Sequence, residues 1–466
     1  MGDTISVIGL GKLGASMAAA FASRGFNLIG VDVNQSSVDL VNHGKAPVQE
    51  TGLGDMIAAN AERIRATLSH SDAVENSDIS FVIVPTPSDK AGSFSLQYAT
   101  WAFREIGRAI GKKKAYHNVV LTSTVLPGST RQALIPILER ESGKLAGRDF
   151  GVCYSPEFIA LGSILRDFLN PDFTLIGQLD DRSGAQLEGV YSRVVTNDAP
   201  SARMSLENAE LTKISINTFI TTKITFANML AEICEKLPGG DVDVVTQALG
   251  MDTRIGKKYL TGSLGYGGPC FPRDNVALSY MAGQLGLRGA LAVTTDASNR
   301  EIPTRIADRI LESAPPGSTV AVLGLAYKPH SHVTEESQGL AIAQRLSRNG
   351  LRVVAFDPLS SEMSLADIRR DILVLDSVEE CLSQAETVVI TTPDPMFDSL
   401  RPEDFKNSWA TVRVFDLWRR LAAVLNGQPH IAYTGIGLSE DDERNSANLK
   451  ALWWGETGDA AEAVSE

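Results

Sequence analysis

The chain opens on a β-branched apolar run, TISVIGLG, that ends in glycines. KLGASMAAAFASRG follows with small residues on one helical face, and FNLIGVDVN is a second apolar run closing on an acid. Similar runs recur at ISFVIVPTP, NVVLTST and DFGVCYSPE, with helical stretches between them. Continuous apolar strands alternating with helices predict a parallel sheet covered on both faces.

Around Ser201 the texture changes. No Gly or Pro occurs from Ser201 to Leu237, and apolar residues recur at helical spacing, as at Leu206, Leu211 and Ile214 and at Phe226, Met229 and Ile233. The spacing predicts a helix far longer than the usual ~11–12 residues, of the kind that spans a domain or builds a dimer interface. A kinked pair of shorter helices fits the same pattern. From Gly317 the opening grammar returns: STVAVLGLAYKP, then GLAIAQRLSRNG, then LRVVAFDP. The pattern predicts an α/β chain with two Rossmann-like parallel-sheet domains joined by a long central helix or helical domain. The closing GETGDAAEAVSE is polar and acidic and reads as a disordered tail over 456–466.

With 466 residues, two or three domains are expected. Hydrophobic content of 43% and charged content of 21% are those of an ordinary globular protein. The apolar runs fall short of a membrane span, and the N-terminus lacks the basic region of a signal peptide. MGDTIS matches a myristoylation pattern through Gly2 and Ser6, but the residues that follow are needed for a buried strand. A net charge of −13 argues against nucleic acid as a partner while leaving room for an anionic small molecule. Cys153, Cys234, Cys270 and Cys381 show no zinc spacing, and only His330 and His332 sit close together, so no metal site is expected. So few cysteines in a long chain point to reduced thiols and a cytoplasmic location.

Candidate chemistry begins at the first turn. Gly9, Gly11 and Gly14 form GxGxxG directly after a strand and at the start of a helix, with Asp32 closing the next strand. In that context the motif predicts a dinucleotide site. Gly9 permits the tight turn, Gly11 lets the backbone approach a pyrophosphate, and Gly14 allows close helix–strand packing. Asp32 can accept from the adenosine ribose and repels a 2′-phosphate, which favours NAD over NADP. The second copy has Gly324 but Ala326 where the second glycine would stand. It reads as a repeat that lost dinucleotide binding, through packing alone or in favour of another nucleotide.

Further stretches stand out chemically. Lys213 and Asn217 lie four apart on the predicted helix and so share a face. Glu157 and Thr124 each follow a strand end, where ligands of parallel sheets bind. Cys270 sits in YGGPCFPRD, after two glycines and a proline. Each has a plain structural reading as well: a solvated helix charge, a helix-start acid, a turn residue and a small buried hydrophobe.

Together the stretches GLGKLG, VPTP, STVLPGST, SPEF, NAELTKISIN, GYGGPCFPRD and GLAYKP resemble the nucleotide-sugar dehydrogenases of the UDP-glucose/GDP-mannose type, from Ile5 to about Asp416. The resemblance implies an NAD-binding domain over 1–200, a central helical dimerisation domain over 201–300 and a nucleotide-sugar (UDP) binding domain over 301–455. It implies oxidation of a sugar's C6 alcohol to the acid with two NAD, and a role in acidic polysaccharide production. The second oxidation needs a tetrahedral adduct, which a thiolate supplies through a thiohemiacetal and then a thioester. The matching motifs assign Cys270 as nucleophile, Lys213 with Asn217 to the oxyanion, and Asp274 to positioning or activating water. They assign Glu157 as general base and Thr124 to orienting a water. Cofactor contacts fall to Gly9, Gly11, Lys12, Leu13, Gly14, Asp32, Thr86 and Thr124. Substrate contacts fall to Glu157, Phe158, Lys213, Asn217, Tyr266, Gly267, Lys328 and, from a neighbouring subunit, Arg254. A sugar nucleotide, with UDP favoured, is the expected partner, in a homodimer or higher homo-oligomer.

Some positions depart from the family pattern. Arg273 replaces a usual lysine, Ala160 and Leu161 replace a charged pair, and His332, Val333 and Glu335 stand where acids and an NAD-contacting arginine are common. Leu417, Trp418 and Arg419 replace a DGRN-like run. UDP-glucose leads as substrate, with UDP-N-acetylhexosamines and GDP-mannose as alternatives. A single-hydride hydroxyacid dehydrogenase and a silent nucleotide-sugar binding protein are the competing readings.

Overall fold

A computed structural model describes residues 4–160, 162–406 and 409–454. The predicted acidic tail and the departure at Leu161 lie outside the described residues. The chain divides into two compact units. One runs to Ile216 and takes in Tyr280–Leu287; the other comprises Asn217–Ser279 and the chain from Arg288 onward.

The first unit is built on an eight-stranded sheet. Its strands are β1 (Thr4–Ile8), β2 (Asn27–Val31), β3 (Ile64–Thr67), β4 (Ile79–Val82), β5 (Asn118–Leu121), β6 (Gly151–Tyr154), β7 (Thr174–Gln178) and β8 (Ser201–Ser205). They lie in the order β3-β2-β1-β4-β5-β6-β7-β8. Alternate residues of β1 feed opposite cores: Val7 packs with Phe21 and Phe81 on one face, Ile8 with Phe103 and Val119 on the other. That two-sided burial is what the continuous apolar runs require.

Two details differ from the expected pattern. β7 pairs antiparallel to β6, with Cys153 opposite Gln178, while β7 and β8 are parallel to each other. The link after β6 stays at that strand's carboxyl end, where the Ser155 hydroxyl donates to the Leu175 carbonyl, so β7 starts where β6 stops and runs back. The segment from Ser201 is also not helical from its start. Its first five residues pair with β7 as an edge strand, and the 29-residue helix begins at Leu206 and ends at Cys234. The absence of Gly and Pro removes breakers without choosing between strand and helix; edge pairing decides.

The second unit repeats the design with a six-stranded, wholly parallel sheet: β9 (Thr319–Leu323), β10 (Arg352–Phe356), β11 (Leu373–Val374), β12 (Thr387–Ile390), β13 (Val412–Asp416) and β14 (Ile431–Gly435). Their order is β11-β10-β9-β12-β13-β14. Val322 and Leu323 feed opposite cores as Val7 and Ile8 do. Fold and repeat agree with the sequence pattern. In each sheet the order reverses beside the first strand, which leaves a crevice at the strands' carboxyl ends.

Candidate active site

The glycine turn after β1 has the geometry a dinucleotide needs. Gly9 is left-handed at φ +100°, and a Cβ there would lie 2.1 Å from the Ile83 carbonyl oxygen. A Cβ on Gly14 would lie 1.9 Å from the Gly9 carbonyl oxygen, so helix Lys12–Ser23 approaches β1 only through that glycine. At Gly11 a Cβ would meet nothing within 4 Å. The space above Gly11 is therefore open to a ligand, and Lys12 and Leu13 begin the helix whose free N–H groups face it. Asp32 follows β2 and accepts from Leu10 N at 2.8 Å and from Asn34 N at 2.9 Å. Each carboxylate oxygen keeps a lone pair for a ribose hydroxyl. These residues fit NAD.

Elsewhere in the first unit, the Thr86 hydroxyl donates to the Thr124 carbonyl at 2.7 Å, tying the loop after β4 to the loop after β5. Buried Glu210, on the helix Leu206–Cys234, accepts from Gly128 N at 2.6 Å and Thr130 N at 2.9 Å and so fixes the far end of STVLPGST. The ammonium of Lys213 donates to the Glu157 carbonyl at 2.6 Å and stands 4.5 Å over the Phe158 ring. Glu157 turns its carboxyl inward, where Tyr191 OH lies 3.2 Å away. Burial is the main cause that pushes the Glu157 carboxyl up to about 8, against the lowering effects of the Tyr191 hydroxyl and the Lys213 charge.

In the second unit Cys270 immediately precedes helix Phe271–Gln284, and its carbonyl accepts from Asp274 N at 2.9 Å. Its thiol is exposed, whereas Cys153, Cys234 and Cys381 are buried. The positive end of the helix dipole favours negative charge at that position. The loop leading to it is fastened at several points. Tyr266 N donates to Asn299 Oδ1 at 2.8 Å, Asn299 Nδ2 donates to the Tyr266 carbonyl at 3.0 Å, and Asn275 Nδ2 donates to the Tyr266 hydroxyl at 2.9 Å. Gly268, at φ +80°, lies against the Tyr327 ring, and its N–H donates to the Glu335 carbonyl at 3.0 Å. Asn217 Nδ2 donates to buried Asp274 at 2.6 Å. Asp274 thus has a fixed orientation one turn below the thiol.

A cavity of about 290 Å³ opens at the carboxyl ends of β9 and β12, where the second sheet reverses its order. Tyr266, Gly267, Phe271, Tyr327, Lys328 and Trp418 are among its walls. Cavities at such switch points are ligand sites in open α/β sheets. The neighbouring turn mirrors the first one: Gly324 N donates to the Phe356 carbonyl as Gly9 N does to that of Val31. Here Asp357, the counterpart of Asp32, accepts from Leu325 N at 2.8 Å as Asp32 does from Leu10 N, and also from Ala326 N at 2.9 Å, so the amide at the position of Gly11 is engaged as well.

The departures take structural parts. Arg273 lies 3.8 Å from the Asp274 carboxylate. His332 faces Glu362 at 3.6 Å, and Glu335 serves through its carbonyl. Trp418 Nε1 donates to the Thr391 carbonyl at 2.9 Å. Leu417 is buried, and Arg419 makes a bidentate pair with Asp243 at 2.8 and 2.7 Å. Arg254 is directed to solvent with a side-chain exposure of 88%, paired with Asp252.

Sequence reasoning passes over Tyr191, Asn275 and Asn299. Glu210 carries a signal, since it lies inside NAELTKISIN; a single Tyr or Asn in an amphipathic helix carries none. Among the described residues, no cluster of three or more His, Cys, Asp or Glu is placed to hold a metal ion, and no helix is long and apolar enough to cross a membrane.

Comparison with known proteins gives the same picture. The UDP-glucose/GDP-mannose dehydrogenase family matches in three consecutive parts: its NAD binding domain over residues 3–195, its central domain over 207–301 and its UDP binding domain over 321–423. A GDP-mannose 6-dehydrogenase of Azotobacter vinelandii is 34% identical over 413 residues, which is 85% of this chain and 93% of that protein. A UDP-glucose 6-dehydrogenase of Haloferax volcanii is likewise 34% identical, over 408 residues, 85% of this chain and 94% of that protein. The solved structure of a UDP-glucose dehydrogenase from the hyperthermophilic archaeon Pyrobaculum islandicum has a TM-score of 0.84 at 33% identity, covering 94% of this chain and 98% of that one. A turn shaped for NAD and a second, modified Rossmann half with a cavity at its switch point thus belong to one protein, a member of the UDP-glucose/GDP-mannose dehydrogenase family and an NAD-dependent nucleotide-sugar 6-dehydrogenase by family.

Proposed function

We propose that the chain oxidises the C6 alcohol of UDP-glucose to the carboxylate of UDP-glucuronate in two successive two-electron steps. The observation that carries this reading is the exposed Cys270 thiol, set at a helix start on a loop fastened at Tyr266 and Gly268. NAD, when bound, supplies the hydride acceptor for each oxidation. The chain's residues do the rest. Glu157, ionised, takes the proton of the C6 hydroxyl in the first step. The Cys270 sulfur then adds to the aldehyde carbon, and Lys213 and Asn217 stabilise the oxygen that becomes negative. Loss of the second hydride leaves a thioester, and water delivered with the help of Asp274 and Thr124 cleaves its C–S bond to give acid and free thiol. The aromatic cavity with Lys328 holds the nucleotide, the lysine meeting diphosphate charge.

UDP is favoured by the UDP binding domain of the family. GDP-mannose is the second reading, because GDP-mannose 6-dehydrogenases match at the same 34% identity. Turnover across UDP-glucose, UDP-N-acetylhexosamines and GDP-mannose tests the choice, with about two NADH expected per molecule of UDP-glucose oxidised. A preference for GDP-mannose overturns the sugar, and one NADH per substrate overturns the thiol route.

The chain also works as a homodimer in this reading. Phe219, Met229 and Ile233 on the long helix are 65%, 48% and 47% exposed, an apolar surface that a partner helix would cover. Sedimentation equilibrium is expected to return twice the chain mass; a monomer at micromolar concentration removes this part.

A further inference from the structure

Behind Glu157 lies a short hydroxyl chain that the reaction as described does not use. Ser155 Oγ donates to the Leu175 carbonyl at 2.8 Å and lies 2.7 Å from Tyr191 OH, which in turn lies 3.2 Å from Glu157 Oε1. Ser155 is 1% exposed and Tyr191 is 3% exposed. The Tyr191 ring is wedged between Phe81 and Phe168, each edge-on at 6.4 Å, so its hydroxyl has a fixed position. Burial, with the Glu157 carboxylate next in effect, holds the Tyr191 phenol well above its usual range, so it stays neutral.

Each hydroxyl has a single proton to donate. When Ser155 donates to Leu175, its oxygen is filled by the Tyr191 proton, and the Tyr191 oxygen is then an acceptor. A protonated Glu157 carboxyl satisfies that acceptor. When Glu157 is ionised, the Tyr191 proton turns to the carboxylate, Ser155 donates to Tyr191, and the bond to the Leu175 carbonyl is given up. Two proton arrangements thus correspond to the two states of one carboxyl, and leaving a buried hydroxyl unpartnered in either would cost free energy.

We propose that Ser155 and Tyr191 are positioning residues that form a two-state hydroxyl chain, through which Glu157 takes up and releases one proton while both hydroxyls stay partnered. The inference rests on Glu157 being the general base. No proton travels along the chain; the Ser155 and Tyr191 O–H bonds only rotate as Glu157 gains or loses its own. Of titratable groups facing these atoms, Lys213 approaches Glu157 from the long helix and Cys153 approaches Tyr191 from β6. The Lys213 ammonium favours the ionised carboxyl, and the Ser155–Leu175 bond favours the protonated one.

The test is an infrared pH titration of the Glu157 carboxyl stretch in the full-length protein, with Glu157→Gln as the blank, alongside the pH dependence of kcat. Tyr191→Phe removes the donor to the carboxylate, so the midpoint is expected to rise by about one pH unit. Ser155→Ala frees Tyr191 to donate to Glu157 permanently, so the midpoint is expected to fall by about one unit. The double variant is expected to match Tyr191→Phe alone, because Ser155 acts only through Tyr191. Ser155→Cys, a weak donor, takes the place of Ser155→Ala should the latter not fold. Midpoints that move together, stay put, or add in the double variant overturn the chain. Infrared midpoints that move in opposite directions while the kcat profile does not follow uphold the chain and remove Glu157 as the base.

Discussion

Cys270→Ala is expected to lower formation of the sugar acid by at least about a thousandfold, the scale on which loss of a catalytic nucleophile is felt. Cys270→Ser is expected to do nearly the same, since a serine hydroxyl at neutral pH is a far poorer nucleophile than a thiolate. Neither change should disturb the fold. The side chain is exposed, and the loop is held by Asn299, Asn275 and the Glu335 carbonyl. NAD affinity is expected to stay within about twofold, because the turn that fits NAD is built from Gly9, Gly11, Gly14 and Asp32, none of which the substitution alters. The measurement is product acid by mass spectrometry, with brief alkylation as a second readout. Since the other three cysteines are buried, iodoacetamide should add a single label to the native protein and none to the variant. Undiminished acid production by Cys270→Ala would dispose of the covalent route.

The second large effect separates two glycines only two residues apart. Gly9→Ala asks a left-handed residue at φ +100° to carry a Cβ that would sit 2.1 Å from a backbone oxygen of the Ile83 peptide. No rotamer change relieves a clash with main chain. Strain of this kind costs about 1–3 kcal/mol before the contact itself is counted, so the variant is expected to melt earlier and to bind no measurable NAD. Gly11→Ala differs in kind. Its Cβ meets no protein atom within 4 Å, so the variant is expected to melt as the parent does. Its methyl group stands where the pyrophosphate would approach, and NAD affinity is expected to fall by about a hundredfold. Calorimetry for melting and titration for binding check both. A Gly11→Ala protein that folds and binds NAD normally would falsify the assignment of this turn to the cofactor.

Much of the molecule was legible because its signals are contiguous. A buried strand such as TISVI or TVAVL announces itself within five residues, and the glycine turn follows at once. YGGPCFPRD and NAELTKISIN likewise keep their chemistry within one loop or one helix face. Path-dependent features were not legible. The reversal at β7 follows from where the chain re-enters the sheet, which no local pattern encodes. The partners that orient the functional groups were hidden for a related reason. Tyr191 meets Glu157 across 34 positions, and Asn299 meets Tyr266 across 33, each from a helix in which it looks like an ordinary amphipathic residue. Trp418 and Arg419 depart from the family pattern in sequence, and their partners Thr391 and Asp243 lie far from them along the chain.

The two glycine turns differ by one amide. Asp32 takes the Leu10 N–H, whereas Asp357, its counterpart, takes both the Leu325 and the Ala326 N–H. Replacing Ala326 by glycine would therefore remove a methyl group without freeing that second amide, because the donor is main chain. The second turn stays tied to the protein's own carboxylate whatever side chain stands at 326.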